Sequence, residues 1–106
     1  MKNVITTIKK IISGIKHPKR SSKWNSVRKS HLLTEGWCRN CGGTKNLEVH
    51  HVKPFHIDPT LELDPTNLIT LCEEMSKECH LKKGHLGNWK KVNENVLSDC
   101  VAIKST

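Results

Sequence analysis

Two pairs of cysteines, Cys38 with Cys41 and Cys72 with Cys79, bracket the adjacent histidines His50 and His51, and His80 follows the last cysteine directly. Nothing else in the chain restricts its fold as much. Two thiolates separated by two residues reach one tetrahedral ion at a Zn–S distance of about 2.3 Å. The second pair closes on the same ion if residues 73–78 form a small excursion. Four thiolates leave no open position, so the expected site is structural. Such a site supplements a thin core: only 35% of the 106 residues are apolar and 4% aromatic, little for a single small domain. Unligated buried thiols are the alternative, which this spacing disfavours. Cys100 lies outside the pattern and reads as a small apolar packing residue. An odd count of five cysteines argues for metal binding in a reducing compartment over a secreted disulfide scaffold, so a cytoplasmic location is expected.

The formal charge is +8. Half of the 18 Lys and Arg fall within residues 1–29, and no acid occurs in the first 34 residues. A basic run is often only a solvated face. Beside a metal constellation it reads instead as a phosphate-binding arm, because Lys and Arg that displace condensed counterions gain affinity for any polyanion. The segment is Lys-rich rather than Arg-rich, unlike an organelle transit peptide. No apolar run reaches membrane-spanning length, so no membrane partner is expected.

Val4, Ile5, Ile8, Ile11, Ile12 and Ile15 recur at helical spacing and predict an amphipathic helix; no Trp or Phe anchors it to a membrane surface. His17-Pro18 opens a linker. Ser22 is placed to cap a second helix running to about Thr34, with Trp24, Val27 and His31 on one face and Gly36 closing it. Gly42 and Gly43, just after Cys41, allow a tight turn whose amides face the sulfurs. Leu47 to Val52 alternates as a strand. Residues 53–67 form a loop stiffened by Pro54, Pro59 and Pro65. Leu68 to Leu71 predicts a second strand ending at Cys72, and a short helix from near Ser76 would carry Cys79 and His80. A last helix near Asn93 would bury Val96, Leu97, Cys100 and Val101.

His50 and His51 point to opposite faces of an ideal strand. In-line displacement at phosphorus gives this divergence a use, since attacking water and leaving oxygen lie on opposite sides. The run Glu48-Val49-His50-His51-Val52-Lys53-Pro54, then Asn67-Leu68-Ile69-Thr70-Leu71-Cys72, then Cys79-His80 resembles the HNH endonucleases, the ββα-metal or His-Me finger nucleases. The likeness covers about residues 37–86 and includes the cysteine cage of many members. Gly84 to Lys90 is also similar to small HNH proteins of bacteriophages.

The resemblance implies an α+β fold: a ββα-metal core with a zinc knuckle and flanking N- and C-terminal helices. Residues 1–22 would be a basic amphipathic arm and residues 23–106 the nuclease domain. It implies His51 as general base, and His50 and His80 as ligands of one catalytic divalent ion. Asn67 is expected to hydrogen-bond across the loop and hold His51 in its productive orientation. His85 is the expected third ligand, with phosphate contact or a helix C-cap as alternatives. On a regular helix the five-residue gap from His80 turns it about 140° away. Cys38, Cys41, Cys72 and Cys79 would hold structural Zn2+. The catalytic ion is left open among Mg2+, Mn2+, Ni2+ and Zn2+. Lys53, Lys82, Lys83, Lys90 and Arg39 are candidate phosphate contacts, with solvated charge as the alternative for each. DNA is the expected partner. Pairing into a homodimer, and contact with phage packaging or recombination proteins, are left open. The competing class is a zinc-ribbon nucleic-acid-binding module without catalysis.

Overall fold

The computed structural model describes residues 19–100. The isoleucine-striped helix and Val101 lie outside that range. Helix α1 spans Trp24–Thr34. It starts one residue later than a cap at Ser22 would give. Lys23 is the N-cap and has no side-chain cap, while Ser21 Oγ accepts the Lys23 amide at 3.0 Å. Ser21 holds this position because its own amide is bound by the Glu62 carboxylate at 2.9 Å. Just beyond α1, one partly buried carboxylate anchors the helix to the sheet. Glu35 accepts the Thr70 amide at 2.8 Å and Arg39 at 2.8 Å, and lies 3.0 Å from His31 Nε2. At Gly36 a Cβ would stand 3.0 Å from the Leu32 carbonyl, so the chain leaves α1 too tightly for a side chain there.

Strands β1 (Leu47–His51) and β2 (Leu68–Cys72) pair antiparallel, with Leu47 opposite Cys72 and His51 opposite Leu68. Every residue of β2 is buried. The core gathers Val52, Ile69, Leu71 and Val96 around Cys38, Cys72, Cys79 and Cys100. Sulfur therefore does much of the packing that aliphatic side chains do in larger domains.

The loop between the strands owes its order to a repeated tripeptide. Asp58-Pro59-Thr60 and Asp64-Pro65-Thr66 each open a 3-10 turn, Pro59–Leu61 and Pro65–Asn67. In each, the Asp side chain accepts the Thr amide, at 3.0 and 2.9 Å, and proline presets φ at the first turn position.

After β2 the chain makes the excursion expected over residues 73–78, with the Glu73 amide on the Asn46 carbonyl at 2.7 Å. The next helix does not begin near Ser76. Glu78 has φ of 49°, a left-handed conformation that interrupts any right-handed helix, and the helical element spans only His80–Gly84, wound as a π-helix. Leu86 (φ 54°) and Gly87 (φ 84°) then end it, with the Gly87 amide on the Leu81 carbonyl at 2.8 Å. Helix α2 is a single turn, Val96–Asp99. Asn93 does not sit at its cap. It ties α2 to the preceding helix by donating to Lys83 O at 2.8 Å and to the Asp99 carboxylate at 2.9 Å. Val96 and Cys100 are buried, whereas Leu97 faces solvent, because one helical turn offers too narrow an inward face for all three. The result is the α+β class expected, a hairpin and helix with a cysteine cluster at one end. No described helix is long and apolar enough to cross a membrane.

Candidate active site and metal centres

The Sγ atoms of Cys38, Cys41, Cys72 and Cys79 lie within 4.8 Å of one another, and none forms a disulfide. The Cys41–Cys72 separation is 3.7 Å, close to the edge of a tetrahedron with arms of about 2.3 Å. Donors face the sulfurs. The Gly43 amide reaches Cys41 at 3.4 Å and the Asn40 side-chain amide reaches Cys79 at 3.3 Å. Burial pushes the Cys79 thiol far up, opposed by Asn40, and the neighbouring Cys38 and Cys72 push the same way as burial. Thiolates so placed need a cation among them, and the donor set suits Zn2+.

A second cluster consists of imidazoles. His50 from β1, His80 from the π-helical turn and His85 just beyond it bring their ligand atoms within 4.8 Å of one another. The ring centroids form a near-equilateral triangle of 5.0, 4.9 and 5.0 Å. The π-helical winding explains how His85 takes part. An i→i+5 repeat puts residues five apart on one face, where α-helical winding would turn His85 away. Acceptors behind two of the rings orient them. His80 Nδ1 lies 2.8 Å from the Glu73 carboxylate, and His85 Nδ1 2.9 Å from the Lys91 carbonyl. Each Nδ1 thus carries the proton and each Nε2 lone pair is freed, the usual arrangement behind metal-binding histidines. His50 Nδ1 is 3.1 Å from His80 Nε2. Its pKa is pushed down to about 3, first by burial and then by the charges of His80, His85 and His51. A neutral imidazole facing two others fits a divalent cation, and the residues present suit one.

His51, next in sequence, serves a different environment. Its Nε2 lies 2.9 Å from the Glu62 carbonyl, which fixes the proton there and leaves Nδ1 as the free lone pair. Trp24 of α1 stacks on the ring at 4.5 Å. Burial lowers the His51 pKa, the Glu62 carbonyl bond opposes this, and the Arg20 charge lowers it further. The Asn67 side chain forms no hydrogen bond with His51. Its Oδ1 accepts the Lys53 amide at 2.8 Å, and its Nδ2 donates to the Lys53 and Leu61 carbonyls at 3.0 and 3.2 Å. It therefore holds the backbone on both flanks of the His51 contact.

A cleft of about 310 Å³ opens where the two histidine groups meet, lined by His50, His51, His80 and His85 together with Arg20, Phe55 and His56. Arg20 was not singled out from the sequence. Its Nε binds Glu62 Oε2 at 2.7 Å and its guanidinium lies 4.7 Å over the Phe55 ring. The two partners are 42 residues apart, so no local pattern signals them. The expected phosphate contacts are more dispersed. Lys53, Lys82, Lys83 and Lys90 do not line this cleft; Lys82 and Lys90 are exposed. Arg39 is paired with Glu35 at 2.8 Å.

A hairpin and helix around converging imidazoles, with a four-cysteine cage beside them, define a ββα-metal domain. Residues 38–86 match the family model of the HNH endonucleases. Comparison with curated proteins and with solved structures gave no match.

Proposed function

We propose that this protein is a metal-dependent endonuclease that hydrolyses DNA phosphodiester bonds. The observation that carries the reading is the division of labour between neighbouring histidines: His50 joins His80 and His85, while His51 faces the same cleft with Nδ1 unengaged. His50, His80 and His85 would hold a divalent ion, which when bound supplies charge stabilisation at the phosphate and the departing oxygen. His51 is neutral at physiological pH and takes the proton of the attacking water at Nδ1. The Glu62 carbonyl then holds the imidazolium through its Nε2 proton. The Arg20 guanidinium uses only Nε for Glu62, which leaves its terminal N–H groups for a phosphate oxygen. The basic residues of the arm and of the helical side add grip independent of sequence.

Supercoiled plasmid incubated with the zinc-loaded protein and added Mn2+, Mg2+ or Ni2+ tests this. Nicking is expected with at least one ion. His51→Ala should lower its rate by about 10²–10⁴-fold while the far-UV spectrum and zinc content are retained. Equal rates for parent and variant would refute His51 as the base. A parent that binds plasmid yet cuts with no ion would instead favour a zinc-stabilised DNA-binding module.

A further inference from the structure

His80 and His85 each have an acceptor behind the ring that fixes its orientation. His50 has none: its Nε2 is buried without a hydrogen-bond partner. Apart from the 3.1 Å contact of its Nδ1 with His80 Nε2, packing places this ring, and part of the packing surface is a backbone. Gly84, buried in the π-helical turn, lies against it. A Cβ at position 84 would stand 3.1 Å from His50 Cε1, 3.2 Å from His50 Nδ1 and 3.2 Å from His80 Cδ2. All three atoms belong to the imidazoles that converge on the candidate ion site, and two belong to the ring without an acceptor. The φ of Gly84 is not positive, so its backbone conformation does not itself require glycine. What position 84 requires is the absence of a side chain against these two rings.

We propose that Gly84 is a positioning residue of the histidine metal centre: its bare backbone sets how closely the hairpin ring of His50 and the helix ring of His80 approach. The inference rests on the reading of His50, His80 and His85 as ligands. One added methyl group would push the rings by a few tenths of an ångström. That is comparable with the distance tolerance of a metal site, about 0.2 Å, but small for a fold held elsewhere by the cysteine cage. Fold and ion should therefore respond in opposite directions, since alanine is favoured over glycine within a helix.

The test uses the full chain, zinc-loaded at the cage, as parent and as Gly84→Ala. Calorimetric titration with Ni2+ gives the affinity of the second site, the absorption of bound Co2+ reports its donor set, and thermal melting before the second ion is added reports the fold. The expected result for Gly84→Ala is second-ion affinity weaker by about tenfold or more, the range of losses typical when the support of a ligand is removed. An altered Co2+ spectrum, one retained zinc and a melting temperature no lower than the parent's should accompany it. Unchanged affinity overturns the proposal. So does a variant that loses its zinc or melts lower, because Gly84 would then serve the fold and not the ion. A parent that takes up no second ion would instead defeat the ligand assignment itself.

Discussion

Asn67 forms its side-chain hydrogen bonds with the backbone on either side of the His51 contact and none with His51 itself. It is 5% exposed, and its side chain satisfies one amide and two carbonyls across the loop. One of these, Leu61 O, belongs to the residue before Glu62, whose own carbonyl fixes the His51 tautomer. Asn67→Asp keeps the shape but turns an oxygen toward two carbonyls. We expect a loss of about 2–4 kcal/mol in urea unfolding. Nicking should slow mainly through kcat, because the base is misplaced while the DNA-binding charge is unchanged. At this scale the grouping of the four cysteines, and of His50 with His80, was legible, because spacing and residue type together restrict what they can hold. Arg20 and Glu62 were not. Their pairing spans 42 residues and depends on the tertiary path of the loop.

At the scale of elements, Glu35 joins α1 to β2. Burial tends to raise its pKa, but Arg39, the Thr70 amide and His31 outweigh burial and hold it below the ordinary 4.5. A carboxylate with a depressed folded pKa gives stability that is present above its unfolded pKa and is lost as pH falls through the folded value. Glu35→Gln should therefore destabilise the protein by about 1–3 kcal/mol at pH 7, with the difference shrinking as pH drops below about 4.5. Denaturant midpoints measured from pH 7 to pH 3 check this. The first strand was legible from its apolar alternation, and the second from the short, largely apolar stretch that ends at Cys72. The helix carrying His80 was not. Its five-residue step to His85 contradicts α-helical periodicity, and only the wider winding, closed by Leu86 and Gly87, resolves it. Its late start at His80 follows from the left-handed Glu78, a conformation that sequence does not announce for a glutamate.

Across the whole molecule the two candidate metal centres share one scaffold. The hairpin carries Cys72 at the end opposite Leu47 and the histidines at the other end, and Cys79 of the cage adjoins His80 of the imidazole cluster. Stripping the cage ion with a strong chelator should therefore remove both the fold and the second ion site, since the free energy of structural zinc binding is largely folding free energy. Circular dichroism and Ni2+ titration before and after chelation should fall together, and readdition of zinc should restore both. A chelated protein that keeps its spectrum and still binds Ni2+ would show that the thin core suffices alone.

The cage is not equally shielded on all sides. Cys38, Cys72 and Cys79 are at most 2% exposed, whereas Cys41 is only partly covered. Peroxide reaching the domain would attack this sulfur first, and a thiolate converted to sulfenic acid is a poorer ligand. Because the cage anchors the segment that bears His80, oxidation at this one accessible atom would disarm a centre on the far side of the hairpin, tying the competence of the protein to the redox state of its surroundings.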